Sequence, residues 1–372
     1  MVIHNCSINM KREFVFDLLR ISLSNGIVED VDKFGSLDND LWEGLFRFIS
    51  MHGVAALVYH GIERIPQDFR PTGSVLMKFI GANVAARRTY AKLNDVVEKI
   101  DEVIKQGEIK CLLLKGFTLA EYYPNPELRQ FLDVDLYAPD ASYQIDKVFM
   151  TKGVNVDTGF YRHSHMTLAG VLVENHHCLL DVRGRKLMTE LDADLKSMAL
   201  EHLSKFGVPG LYYPDAQFSL IFNLHHAMSH FIYEGISFKF LVDWIYFLRQ
   251  ERELLTTDQM SLSLKRHGLL RFAAVMSDVC VRYLGLSLED VPEYIRMEID
   301  LLKQSVVDKF IDDLFRPYEK VHKKSILTER FNNVVRIIKA SWKPKEFLDQ
   351  SAAGFIWEKF LPIMMGKKYE AD

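Results

Sequence analysis

Two aspartates one residue apart, Asp133 and Asp135, stand in the run Phe131-Leu132-Asp133-Val134-Asp135-Leu136-Tyr137. Apolar and acidic residues alternate there with the period of a half-buried strand, and side chains at i and i+2 of a strand point the same way. Two carboxylates side by side repel unless a cation sits between them. Hard oxygen ligands in that arrangement suit Mg²⁺ held together with a substrate phosphate. A solvated edge strand carrying two exposed acids fits the same spacing. A second set is helical: Ser219, Asn223, His226 and His230 form one polar stripe on a segment whose other faces carry Phe218, Ile221, Leu224 and Phe231. His226 and His230 lie one turn apart, which is zinc-ligand spacing, and Asp243 is the available third ligand. The stripe lacks the Glu of a metalloprotease HExxH, however, and buried histidines bonded to an Asp on the next helix explain the same pattern. That structural reading is preferred over a zinc hydrolase.

The elements that must position these residues follow from the hydrophobic period. Phe14, Phe16, Leu18, Leu19 and Ile21 give one amphipathic stretch. Asp38 or Asp40 can cap a second, which carries Leu41, Leu45, Phe48, Ile49, Val54, Leu57 and Val58. Residues 74–105 contain no Pro and a single Gly, with Met77, Ile80, Val84, Tyr90, Leu93, Val97 and Ile100 at helical spacing, and read as one long helix ending at Gly107. The period then changes. Ile109 to Leu114 is a short apolar run between glycines, the mark of a buried strand. Phe117 to Tyr123 forms a helical turn stopped by Pro124 and Pro126, and Asp140 to Lys152 is helical. Met166 to Leu180 reads as two strands meeting near Gly170. After Gly184 the chain turns helical again, with Pro214-Asp215 starting a helix through Phe231 and another running from Phe238 to Arg249. The fold class is α+β, with a helical region at 1–106, an α/β core at 107–188 and a helical domain at 189–372.

Composition narrows the function classes. With 46 Lys plus Arg against 50 Asp plus Glu, the formal charge of −4 lacks the basic balance that would point to nucleic acid. Any anion site must be local. Between Lys320 and Lys345 basic residues outnumber the single acid Glu329, but Ile326, Phe331, Val335 and Ile338 mark a solvated helix with a buried side, and no stacking aromatics accompany it. Four dispersed cysteines (Cys6, Cys111, Cys178, Cys280) form no CxxC pair. No apolar run approaches the ~20 residues of a membrane span, and Met1 to Ser24 lacks a signal-peptide core, so a cytoplasmic protein is expected.

Lys115-Gly116 stands where the first strand leaves for a helix, eighteen residues before Asp133, and Arg129 lies four residues before it. Strand, Gly turn, helix and DxD strand in this order resemble the nucleotidyltransferase superfamily that includes DNA polymerase β and the kanamycin-type antibiotic nucleotidyltransferases. Leu112-Leu113-Leu114-Lys115-Gly116, then Tyr, Arg and Asp133-Val134-Asp135-Leu136, resembles most an uncharacterised bacterial nucleotidyltransferase family with an LKG turn in place of Gly-Ser. Val173-Glu174-Asn175-His176 is similar to that family's V(E/D)xH strand, and His226…His230 with Leu241-Val242-Asp243 to its helical motifs. The likeness covers about residues 75–250.

The resemblance implies a small mixed-sheet nucleotidyltransferase core flanked by helical regions. It also implies Mg²⁺-dependent transfer of a nucleotidyl group from an NTP to an acceptor hydroxyl. It assigns Asp133 and Asp135 as catalytic metal ligands and requires a third carboxylate. Glu174 matches best; Asp181 ends the same apolar segment but falls at an odd offset from Glu174, on the opposite face of a continuous strand. Lys115, the Gly116 backbone and Arg129 become candidate triphosphate ligands, with a structural ion pair the alternative for Arg129. Asn223, His226, His230 and Asp243 are the candidate wall of an acceptor cleft, better suited to a small hydroxylated compound than to a polynucleotide. The departure at Lys115 also fits a catalytically inactive module that binds a partner or regulates, with Lys115 paired to one of the aspartates.

Overall fold

The computed structural model describes residues 2–24, 31–107, 109–182, 186–201, 204–205, 210–316, 338–348, 351 and 353–354. Helices open the chain: α1 (Val2–Leu23), α2 (Asn39–Met51), α3 (Ala55–Ile62) and the long α4 (Gly73–Lys105). Asp38 caps α2 by accepting from the Leu41 N–H at 2.8 Å. The stretch expected as one helix from Leu41 to Val58 is two. Gly53, at φ +67°, reverses the chain, and the Val54 N–H returns to the Ile49 carbonyl. Along α4 the buried stripe runs through Val75, Phe79, Ala86, Leu93, Val97, Ile100 and Ile104, whereas Met77 and Val84 are exposed. The apolar period located the helix but not the face of its first turns.

The central part alternates: β1 (Cys111–Leu114), α5 (Gly116–Ala120), β2 (Asp133–Tyr137), α6 (Ser142–Thr151), β3 (Val156–Asp157), β4 (His163–Leu168) and β5 (Val171–His176). β4 and β5 are joined by Ala169-Gly170, both at positive φ, the backbone twist that a two-residue hairpin needs. Then follow α7 (Lys186–Glu201), β6 (Ser204–Lys205), β7 (Leu211–Tyr213), α8 (Ala216–Tyr233) and α9 (Phe238–Gln250). The chain continues through α10 (Arg252–Leu255), α11 (Asp258–Arg266), α12 (Leu270–Leu284), α13 (Glu293–Asp300), α14 (Gln304–Leu314) and α15 (Trp342–Phe347). Asp215 caps α8 through the Phe218 N–H at 2.7 Å.

The strands form one mixed sheet in the order β3-β4-β5-β2-β1-β7-β6. β1 runs antiparallel to β2 and parallel to β7, while β2 and β5 are parallel. This is an α+β fold of the expected kind, with one correction. Helix alone was expected after Gly184, but β6 and β7 lie there and extend the sheet beyond β1. Both are too short to show a period of two.

The sheet separates two cores. Leu113, Val134, Leu136, Met166 and Val173 pack one face against Leu93, Val97 and Ile100 of α4 and Ile145 and Phe149 of α6. On the other face Leu112, Leu114 and Tyr137 join the larger core built by α1–α3, α8, α9, α12 and α14. On β2, β4 and β5 that second face also carries Asp133, Asp135, His163, His165, Glu174 and His176, which form the site described next. Of the basic C-terminal segment, Ile326, Phe331 and Val335 lie outside the described residues. Ile338, expected on a buried side, is about half exposed, and Lys343 is fully buried, with its ammonium 2.8 Å from Asp313.

Candidate active site

Strand register brings the acids together. Asp135 of β2 is the cross-strand partner of Glu174 on the parallel β5, and Asp133, one pleat earlier, faces the same way. His176, two residues beyond Glu174, shares that face, opposite Tyr137. One strand further out, His165 sits beside Glu174 and His163 beside His176. One side of the sheet therefore carries two aspartates, then a glutamate and a histidine, then two more histidines. Asp181 lies past the end of β5, and of the two acids it is Glu174 that lines the cleft with Asp133 and Asp135.

Asp135 is buried and engaged by two donors. The Lys115 ammonium lies 2.6 Å from its Oδ1, and the His176 Nε2 lies 2.9 Å from the same oxygen. Burial disfavours the Asp135 charge, but the Lys115 cation beside it and the His176 hydrogen bond outweigh that and hold the carboxyl well below the usual carboxylate range. His176, wholly buried next to Lys115, is pushed down to about 4 and stays neutral, so its Nε2–H donates to the carboxylate. Asp133 is raised by burial and by the Asp135 charge, and Glu174 is raised to about 7 by the same causes.

The turn that delivers Lys115 is conformationally unusual. Lys115 has φ 44° and ψ −96°, a region costly for a side-chain-bearing residue. Gly116 follows it because a Cβ there would lie 2.4 Å from the Phe131 ring. Phe131 is in turn fixed by edge-to-face packing on Phe117 and Tyr90.

Arg129 does not point at the carboxylates. Its guanidinium pairs in two-pronged fashion with Asp243 of α9, at 2.8 and 2.9 Å, and donates to the Gly116 carbonyl at 3.2 Å. The Tyr123 hydroxyl donates to the same Asp243 oxygen at 2.8 Å. The Tyr, Arg and Asp of the sequence motif thus form one buried lock that ties the Lys115-Gly116 turn to α9. The structural ion pair is the geometry that Arg129 adopts. Asp243 is committed to this lock, so the zinc triad of His226, His230 and Asp243 is not assembled. Among the described residues, the groups of side chains close enough to share a metal are Asp135, Glu174 and His176, and His163, His165 and Glu174.

A cleft of about 630 Å³ opens over the carboxylates. Lys115, Asp133, Asp135 and Glu174 form its floor, and the polar stripe of α8, Ser219, Asn223, His226 and His230, forms a wall. The histidines are therefore not bonded to an Asp on the next helix. His230 Nδ1 lies 2.8 Å from Glu234, and His226 packs against His230 and Phe240. Burial and then the neighbouring His230 push His226 well below the ordinary histidine range. The Ser219 Oγ and the Asn223 Oδ1 are buried without a hydrogen-bond partner, as expected of groups aimed into a cleft.

Sequence reasoning missed Lys239 at the start of α9. It lines the cleft and is lowered by burial first and then by Arg129, against the pull of Asp243, Asp133 and Asp135. No local pattern marks it. His176, His163 and His165 carried a readable signal, since each stands an even number of residues from another polar residue in a strand.

The site is thus a mixed sheet with an alternating two-aspartate strand, a third carboxylate on the parallel neighbour and a cleft over both. A family model described as an uncharacterised nucleotidyltransferase matches residues 38–285. The chain belongs to that family. No curated protein and no solved structure matches it significantly. No helix among the described residues is long and apolar enough to cross a membrane.

Proposed function

We propose that the protein transfers a nucleotidyl group from an NTP to a hydroxyl of a small acceptor, with Mg²⁺ bound by Asp133, Asp135 and Glu174. The observation that carries this reading is the placement of these three carboxylates on one sheet face at the floor of the cleft. The fit to a hard divalent cation is a matter of donor chemistry. All three offer oxygen, and Asp133 and Glu174 are pushed up by burial and then by the neighbouring Asp135 charge, which a cation would offset. Bound there, Mg²⁺ supplies charge at the reacting phosphate.

The chain's own residues do the rest. The Lys115 and Lys239 ammonium groups face the floor from two sides and donate to phosphate oxygens as point charges. Arg129, held by Asp243, fixes the Gly116 carbonyl and with it the turn that presents Lys115. Glu174, at the cleft floor, offers a carboxylate oxygen to accept the proton of the acceptor hydroxyl. Asn223, His226 and His230 offer the acceptor hydrogen-bonding groups. A small polyol or aminoglycoside-like compound is the acceptor class preferred over a polynucleotide, in line with a chain of formal charge −4. Dispersed cysteines, with the Cys111 and Cys280 thiols buried, fit a reducing, cytoplasmic setting.

One contact favours the second reading, an inactive binding or regulatory module: the Lys115 ammonium already occupies the Asp135 oxygen that a metal would take. Calorimetry with Mg²⁺ and a non-hydrolysable NTP separates the two. Asp133→Asn is the variant of choice, because it removes a repelled carboxylate and spares the Asp135 ion pair. Nucleotide affinity that depends on Mg²⁺ and falls in Asp133→Asn supports transfer. Equal affinity with and without Mg²⁺, in both proteins, sinks it. Labelled NTP offered to small hydroxylated compounds and to RNA then tests the acceptor class, and labelling of RNA alone would overturn the small-molecule assignment.

A further inference from the structure

On the far side of Glu174, the same face of the sheet carries two histidines, His163 and His165, that the transfer reaction does not use. His163 and His165 alternate along β4, so both imidazoles stand on the same face as Glu174 and His176 of β5. One ligand atom from each of His163, His165 and Glu174 falls in a group whose members all lie within 4.8 Å of one another. His165 Nε2 is already 3.4 Å from the Glu174 Oε1. At Zn–N and Zn–O distances of about 2.0–2.2 Å, ligands around one tetrahedral ion stand roughly 3.3 Å apart, so closing on a metal needs shifts under about 1 Å.

The imidazoles are preset for this. Phe160 packs on both rings, with centroids 4.2 Å from His165 and 5.7 Å from His163, and the two histidine rings stack at 4.6 Å. The His163 Nδ1 and the His165 Nε2 are buried without a hydrogen-bond partner, which is costly for groups that serve packing alone.

The geometry points to a second metal site, in which His163, His165 and Glu174 bind a divalent transition metal of the Zn²⁺ class. Two imidazoles and one carboxylate are borderline donors that suit Zn²⁺, Co²⁺ or Fe²⁺ and not Mg²⁺, and three protein ligands leave a coordination position open. Glu174 then stands between the two ions' ligand sets, the position of a bridging carboxylate in two-metal centres. This assignment does not rest on nucleotidyl transfer: the site shares Glu174 with the Asp133–Asp135 site, but its two imidazole ligands and its metal differ from those of that site.

Full-length protein stripped of metal and titrated with Co²⁺, without nucleotide, tests it through the visible absorption of the bound ion. One Co²⁺ coordinated by imidazole is expected per chain, with its affinity falling about 100-fold or more in His163→Ala and in His165→Ala. Circular dichroism checks that the variants fold. A measurement on the parent protein alone covers the case in which they do not: electron paramagnetic resonance of bound Cu²⁺ should show two coordinated imidazole nitrogens. Absence of nitrogen coupling, or Co²⁺ binding as tight in both histidine variants as in the parent, overturns the site. Failure of Mg²⁺-dependent NTP binding leaves these outcomes untouched and counts only against the transfer reading.

Discussion

Breaking the lock between Arg129 and Asp243 should destabilise the whole fold, and by an amount that the structure allows to be worked out. Their side chains are 4% and 6% exposed, and both prongs of the pair are within 2.9 Å. With charge centres about 4 Å apart and an effective dielectric of about 20, the attraction is near 4 kcal/mol. Removing one member of a buried pair typically costs about 3–5 kcal/mol, because the other is left charged and unpaired. Asp243→Asn keeps an oxygen for the Tyr123 hydroxyl and removes only the charge, so the loss should fall in that range. Arg129→Met should lose a similar amount and also release the Gly116 carbonyl. In Arg129→Met/Asp243→Leu no charge is stranded, and the double variant should be several kcal/mol more stable than the sum of the singles implies. Urea unfolding followed by far-ultraviolet circular dichroism reads all three. A loss below about 1 kcal/mol in Asp243→Asn, or strict additivity, would refute the structural role. Weakened NTP binding by Arg129→Met at unchanged stability would return Arg129 to the phosphate ligands.

Two further changes probe the elements around the cleft. Gly116→Ala drives a methyl group into the Phe131 ring, whose packing on Phe117 leaves it little room, so about 1–3 kcal/mol of stability should be lost; a thermal midpoint equal to the parent's would show that the ring yields freely. His52 accepts the Phe238 N–H at 3.2 Å and is pushed down to about 4 by burial, whereas an unfolded histidine protonates near 6.5. The unfolded chain therefore binds more protons between those values, and stability should fall by about 3 kcal/mol as pH drops from about 6.5 to about 4. His52→Asn, which keeps an acceptor for that N–H, should abolish this part of the pH dependence, and an unchanged slope in denaturation midpoints would assign it to other groups.

What was legible in the sequence is what local period encodes. Alternation of apolar and acidic residues located β2 and put Asp133 and Asp135 on one face, and the glycines around Leu112-Leu113-Leu114 bounded β1. The polar stripe of α8 was readable, and so was its need for a cleft or for buried partners. Which of these it had was not, because that depends on where α9 docks. The same long-range docking decides Arg129. Its partner Asp243 lies far along the chain, and no local pattern distinguishes a guanidinium facing a phosphate from one facing a carboxylate. β6 and β7 were missed for a different reason: two- and three-residue strands are specified by the β1 edge they complete and not by their own composition.

The Lys115-Gly116 turn joins these levels, because two different constraints meet in adjacent residues. Position 115 has the positive φ that ordinarily selects glycine, yet it carries a lysine. Position 116 is the glycine, because Phe131 leaves no room for a side chain there. The backbone strain at Lys115, of the order of 1–3 kcal/mol, is offset by a 2.6 Å ion pair with a buried carboxylate that would otherwise be driven to bind a proton. That exchange fixes the charge state of the whole floor. Asp135 is ionised because Lys115 and His176 attend it, and Glu174 and Asp133 are raised by burial and by the Asp135 charge beside them. On the proposed reading, a divalent cation held by the three acids would add positive charge beside Asp133 and Glu174. The Lys115 ammonium is then free to turn from Asp135 toward a phosphate, so that donor and metal are held by one charge balance.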